Sequence, residues 1–195
     1  MSDLWFTSDQ HYGHKKILEY TERPWETVEE MDAGLIAIHN ECVKPQDTVY
    51  MLGDFSFLSQ VEIFRLMQQL NGRKHIVFGN HDKNLRNVLK NNQHIVGIVE
   101  SASDYAEIKI PDVKVRGGKR LIVMSHFPML SWNKMHHGSF MLHGHCHGNM
   151  KYPFAGRIMD VGVDAQNYAP INYDEVRNKL YHVESEFLDH HNGAE

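Results

Sequence analysis

Short, continuous apolar runs rich in β-branched and aromatic residues recur along the chain at positions 4–7, 48–52, 75–78 and 121–124. Such runs, each ending in a polar residue, predict strands buried on both faces. Between the early runs the apolar period lengthens to that of a helix. Thr27-Val28-Glu29-Glu30 has the spacing of a capping box, and Val28, Met31, Leu35, Ile36 and His39 then share one helical face. Ser59-Gln60-Val61-Glu62 repeats the device, with Leu58 as an N-terminal staple and Asn71-Gly72 as a left-handed stop. Asn172, with Glu175 three positions on, predicts the cap of a last helix through Leu180. Residues 105–110 alternate apolar and polar, and residues 113–116, Gly117-Gly118 and residues 120–124 read as a hairpin. Strand and helix alternate first and antiparallel strands follow, which predicts an α/β fold. Two mixed β-sheets would pack as a sandwich flanked by helices, four layers in all. No repeat or Pro/Gly/Ser linker interrupts the sequence, so a single domain is expected over 1–188 with a short tail at 189–195.

Composition narrows the chemistry. At 195 residues, 42% of them hydrophobic, the chain can bury a core. Its 20 Lys and Arg against 25 Asp and Glu give a net charge of -5, which argues against a protein that coats nucleic acid. No apolar run approaches the ~20 residues of a membrane span. A strand expected within three residues of Met1 leaves no room for a signal peptide, so the expectation is a cytoplasmic protein without membrane contact. Cys42 and Cys146 alone exclude a disulfide scaffold and a four-cysteine zinc site. Histidine is the anomaly: there are 15, clustered with Asp, Gly and Asn, which points to metal chemistry.

Five clusters lie just past expected strand ends: Asp9-Gln10-His11, Gly53-Asp54, Gly79-Asn80-His81-Asp82, Ser125-His126 and Gly144-His145-Cys146-His147. Ligands in open α/β folds bind at the carboxyl ends of strands, so distant clusters can share one crevice. Gly53, Gly79 and Gly144 each precede a potential ligand, where a tight turn or close backbone approach favours a residue without Cβ. Each piece alone is weak, because a histidine after a strand is more often structural. The ordered set is much stronger.

That set, from about Leu4 to Asp164, resembles the calcineurin-like metallophosphoesterase family. The flanks of the fifth cluster, residues 140–148, and Asp160-Val161-Gly162-Val163-Asp164 match it as well. The resemblance implies that Asp9, His11, Asp54 and His147 hold one divalent metal and that Asp54, Asn80, His126 and His145 hold a second. It also makes His81 the proton donor to the leaving oxygen or a clamp on phosphate, with Asp82 placed to orient its ring. Two cations a few Å apart repel, so a carboxylate must lie between them, and Asp54 is the one available. Imidazole and carboxylate donors suit Mn²⁺ first, with Fe, Zn²⁺, Ni²⁺ and Co²⁺ as alternatives. Two such ions lower the pKa of a bridging water and clamp an in-line displacement at phosphorus. The implied protein is a phosphoester hydrolase, with a small nucleotide-like or cyclic phosphodiester as the favoured substrate. A phosphomonoesterase, a nuclease and a non-catalytic scaffold are the alternatives.

Other residues carry blander readings beside the functional ones. His14 could contact phosphate or cap a helix start, and Lys15 and Lys16 fit a solvated first turn. Trp132 could stack a nucleobase but more commonly packs a loop; Met135, His136 and His137 share its connection. His39, His75 and His94 fit ordinary core or surface positions. Cys146 alternates with its flanking histidines and should point away from the metals into a buried place. Phe55-Ser56-Phe57 after Asp54 departs from the Asp-Arg-Gly continuation of the protein Ser/Thr phosphatases and makes that branch unlikely. For a nuclease, Arg73-Lys74, Lys83, Arg86 and the stretch 116–120 would have to form a local basic rim.

Overall fold

The protein is described by a computed structural model covering residues 2–91, 97–115 and 117–184. Arg116, His94 and the expected tail at 189–195 lie outside the described residues. Five strands form the first sheet: β1 (Leu4–Thr7), β2 (Thr48–Met51), β3 (Arg73–Val77), β4 (Val99–Ser103) and β9 (Ile171–Asn172). Their order is β4-β3-β2-β1-β9, parallel except for β9. The second sheet, in order β5-β6-β7-β8, comprises β5 (Tyr105–Pro111), β6 (Lys119–Ser125), β7 (Phe140–His143) and β8 (Ile158–Asp160); β5 runs antiparallel and the rest parallel. The fold is thus α/β with two mixed sheets.

The inner faces of the sheets meet in one core. Phe6, Leu52 and Val77 from the first sheet and its loops pack with Ile122, Met124, Phe140 and Leu142 from the second. Helices α2 (Val28–Cys42), α3 (Gln60–Gln69) and α4 (Lys83–Asn91) cover the outer face of the first sheet; Met31, Leu35, Ile63, Met67, Leu85 and Val88 pack on Val49, Met51 and Ile76. The short α1 (Ile17–Tyr20) follows the β1 loop, and α5 (Tyr173–Leu180) adds Val176 and Leu180 to the inter-sheet core. The capping boxes at Thr27/Glu30, Ser59/Glu62 and Asn172/Glu175 all form, satisfying N–H groups that a helix start leaves without partners.

Three expectations change. The hairpin's first arm is β5, paired with β6 from Tyr105↔Ser125 to Pro111↔Lys119, whereas residues 113–115 form the turn, with Val113 98% exposed. Asp112 builds that turn: its carboxylate accepts the Lys114 N–H and pairs with Arg120, and its own N–H donates to the Gly118 carbonyl. Helix α3 stops one residue before the expected signal takes effect. Leu70 is already extended, and Asn71 is bonded to Asn40 and Val43, so contacts with α2 end the helix and the left-handed Gly72 leads into β3. Finally, among the described residues no long helix flanks the outer face of the second sheet. Leu121, Val123, Met141 and Ile158 are covered there by Trp132, Met135 and Phe154 of an irregular connection.

Candidate metal centre

Each of the five clusters leaves the carboxyl end of a strand: β1, β2, β3, β6 and β7 in turn. Parallel pairing within each sheet brings these ends to one edge of the molecule. There the loops zip together, the Asp9 N–H donating to the Gly53 carbonyl and the His11 N–H to the Asp54 carbonyl. Asp9, His11, Asp54, His145 and His147 all have positive φ, between 49° and 70°. Non-glycine residues there cost free energy that surrounding contacts must offset, and such outliers cluster where function demands them. Gly79 and Gly144 serve a different need. A Cβ at Gly79 would strike the Asp54 carboxylate and backbone, and one at Gly144 would strike Ser8 and the Asp9 carboxylate.

The ligand atoms form two groups. Asp9, His11 and His147 make one, and Asp54, His126 and His145 the other, each with its donor atoms within 4.8 Å of one another. Asp54 faces both: its Oδ2 lies 3.8 Å from His11 Nε2 and 3.4 Å from His126 Nε2. His126 Nδ1 lies 2.8 Å from the Leu52 carbonyl, which fixes its proton there and turns the Nε2 lone pair inward, 3.0 Å from Asn80 Oδ1. His147 Nδ1 is held in the same way, 2.6 Å from Asp164 Oδ2. A hydrogen-bonded back nitrogen that aims the other at a shared centre is the arrangement of metal-binding histidines. His11 is buried with neither ring nitrogen hydrogen-bonded, a cost that a cation at Nε2 would remove. The residues therefore fit a bound cation.

The electrostatics agree. Burial pushes the Asp9 carboxyl up to about 7, against the pull of His126 and His147. Burial also takes His11 down to about 3. Asp54 is held at about 2: burial opposes its charge, but the hydrogen bond and charge of His126 prevail. His126 and His147 are raised despite burial, by Asp54 and Asp9 in the first case and by Asp164 and Asp9 in the second. These acidic oxygens and inward lone pairs attract a positive charge to the place where each group converges.

His81 stands on the open side, its side chain 47% exposed and its Nε2 3.9 Å from Asp54 Oδ2. Asp82 does not orient that ring. Its buried carboxylate accepts the N–H groups of Gly79, Asp54 and Phe55, so it ties the β2 and β3 loops together instead. His14 gives α1 no side-chain cap, but its carbonyl accepts the Ile17 N–H at the helix start, the hydrogen bond expected of it in the blander reading, and its ring stacks on Phe57 at 4.1 Å. Phe57 also lies 5.5 Å from the His11 ring and 4.9 Å from that of His81. Trp132 is buried against Phe154 with its indole N–H on Ser139 Oγ, which makes it loop packing and removes it from any base-stacking role. Cys146 points away from the ligands towards Met150, half-buried where a buried position was expected.

Among the described residues most of the expected basic rim does not assemble. Lys74 is buried and gives its ammonium to the Leu70 and Gly72 carbonyls, while Arg86 pairs with Asp104. Lys119 and Arg120 begin β6, at the end opposite His126.

Arg23, Asp164 and Phe127 belong to the surroundings of the site and had no assigned part in the sequence reading. The Arg23 guanidinium grips Asp164 through two nitrogens and donates to the Asp9 and Gln10 carbonyls, bracing the first loop against the His147 partner. Phe127, 48% exposed, packs edge-on against His126 and His145. Asp164 could have been found as the last residue of the 160–164 motif. Arg23, 141 positions from its partner, has no local signature.

The Gene 66 protein of Mycobacterium phage L5 is 32% identical over 206 aligned residues, which cover 95% of this chain and 98% of that protein. The chain belongs to the Gene 66 protein family. A second relative, the uncharacterized protein MJ1445 of Methanocaldococcus jannaschii, is 30% identical over 89% of each chain. Searching against family models gives no match. The crystal structure of AQ665 from Aquifex aeolicus, titled a protein of unknown function, superposes on 92% of the chain with a TM-score of 0.63 at 21% identity. The likeness extends the fold of this Gene 66 relative to a solved structure and says nothing of its chemistry. No helix among the described residues is long and apolar enough to cross a membrane.

Proposed function

We propose that the protein is a metallophosphoesterase-like hydrolase that uses two divalent metal ions, Mn²⁺ favoured, to cleave a small phosphodiester of nucleotide-like or cyclic type. One observation carries the reading: Asp54 Oδ2 lies between two groups of inward-facing ligand atoms, within 3.4 to 3.9 Å of His126, His11 and His81. Asp9, His11 and His147 would hold one ion and His126, His145 and Asn80 the other, with Asp54 shared. Bound there, the pair supplies Lewis acidity and a water acidic enough to lose its proton near neutral pH.

The chain's own residues do the rest. Asp164 and the Leu52 carbonyl keep His147 and His126 in the tautomer that offers Nε2. Asp82 and Arg23 fix the ligand loops by binding their backbone. His81, on the open side above Asp54, gives its proton to the departing ester oxygen as the bond to phosphorus breaks. Phe57 and Phe127 wall the opening with exposed aromatic surface, suited to a substrate with an apolar or ring-bearing group. The incomplete basic rim favours a small ester over a nucleic acid strand.

The test is a phosphoester screen of metal-free protein reconstituted with Mn²⁺, Fe²⁺, Zn²⁺, Ni²⁺ or Co²⁺ in turn. Turnover of diesters with about two metal equivalents bound supports the reading. Preference for monoesters would make the protein a phosphomonoesterase, and metal binding without any turnover would favour the scaffold.

A further inference from the structure

At the end of β6 remote from the metal ligands, basic side chains gather round a concave surface. One cavity of about 370 Å³ is lined by Lys109, Lys119, Arg120 and Lys134, and an adjoining one of about 310 Å³ by Lys114, Arg120 and Arg157. Val115, Arg120 and His137 line both, so the two are continuous. In a chain of net charge -5 this concentration is out of proportion. Among the described residues no carboxylate lines either cavity. Asp112, the carboxylate partner of the lining Arg120, is spent on that residue, the Lys114 N–H and the Tyr173 hydroxyl. Glu107 stands two positions along β5 from Lys109, engaged by Asn133 and Tyr105.

Two guanidiniums sit close together here, and of the two only Arg120 has a carboxylate partner among the described residues. Arg120 donates to the Gly138 carbonyl, and a Cβ on Gly138 would strike Arg157. Arg157 gives its other nitrogens to the carbonyls of Tyr181 and Val183 and has no carboxylate partner among the described residues. Lys114 lies 4.7 Å over the Tyr181 ring, which leaves its ammonium beside the same opening. Like charges held in a concavity raise the local potential and draw anions. The surface is concave but open to solvent, at the lower end of the volumes usual for small-ligand sites, and does not form the extended stripe that tracks a nucleic acid backbone.

We propose that this concavity is a second binding site, for a small ligand carrying two or more linked phosphate groups. Lys119 and Ser125 are six residue steps apart along β6, which puts Lys119 about 20 Å from the metal ligands. Occupancy of the two sites is therefore separable.

Calorimetric titration of the full chain with inorganic tripolyphosphate, in buffer without added metal, tests this. Three proteins are compared: the parent, a K109Q/K119Q/K134Q variant that alters only exposed side chains, and D54N. The parent should bind about one equivalent, at least about tenfold more tightly than orthophosphate, and added salt should weaken it. Affinity should fall about tenfold or more in the triple variant, with its thermal unfolding unchanged, and stay at the parent value in D54N. Equal affinity in the parent and the triple variant would overturn the proposal. So would loss in D54N, which would mean that the probe acts at the metal ligands. Tighter binding of a 12-nucleotide single strand, with a steeper salt dependence, would assign the surface to nucleic acid and likewise overturn it.

Discussion

The two ligand groups are built to different standards. The Asp9, His11 and His147 group sits in the protein, with Asp9 and His11 buried and the partner of His147 clamped by Arg23. The Asp54, His126 and His145 group opens outward through part of its members: Asp54 and His126 are buried, but His145 and Asn80 are exposed, and His81 and Phe127 stand at its edge. Buried, hydrogen-bonded supports fix ligand geometry in advance, whereas exposed ligands must be ordered when an ion binds. On the proposed two-ion reading, the first group is suited to retaining its ion, and the second to exchanging its ion and meeting substrate.

Removing the group that both share gives the largest effect. Asp54→Ala should lower bound metal from about two equivalents to below one and abolish turnover, as read by elemental analysis and rate. Two equivalents held as tightly as in the parent would mean that the groups are independent.

On the open side, His81→Ala should leave both ions bound yet lose about 10² to 10⁴ in rate for alkyl or nucleoside esters, the usual scale of general acid catalysis. A nitrophenyl diester, whose leaving group needs no proton, should recover much of that loss. Equal losses on the two esters would remove the proton-donor role.

Asp164→Asn weakens the support of the buried group alone. Its ion should bind about 10 to 100-fold less tightly, while the open group keeps its own affinity. Asn80→Ala should show the opposite bias. Metal competition titrations on both variants separate the groups, and equal losses at both positions in either variant would erase the contrast drawn above.

The smallest effect separates acid loss of metal from acid loss of the fold. His39, buried on α2 with its Nε2 on the Asn71 carbonyl, is held by burial at about 4 against an ordinary 6.5. The unfolded chain takes up that proton first as pH falls. The His39 contribution is therefore complete above about pH 6.5 and is lost towards pH 4, at about 1.4 kcal/mol per pH unit. Urea midpoints of metal-free parent and His39→Gln should diverge in slope across that window, and parallel slopes would place the acid sensitivity elsewhere.

What could be read from the sequence was what local chemistry encodes. β1 runs over the four residues that its apolar run marks, and three capping boxes start three helices where a Ser, Thr or Asn precedes a Glu by three. The metal-ligand candidates were readable because each follows its strand directly. Long-range pairing was not. Helix α4 sets Leu85, Val88 and Leu89 on the core at helical spacing, but over only nine residues and without a capping box to announce its start, and residues 113–115 look like a strand until Asp112 is seen to spend its carboxylate on the turn. Asp82 beside His81 suggested a ring partner, but its real partners lie on the β2 loop, 27 and 28 residues away.

The clasp between Arg23 and Asp164 also sets a timetable. Asp9 and His11 leave the ribosome early, but the partner of His147 and the Ser8↔Gly162 bridge that seals the first loop are made from residues more than 150 positions later. At about 5 to 20 residues per second, that gap amounts to roughly 8 to 30 s of synthesis. During that time the first pair of ligands has neither its third member nor its brace. The first group of ligands is thus completed only once Asp164 has emerged, so a nascent chain has no finished group there before its two sheets close.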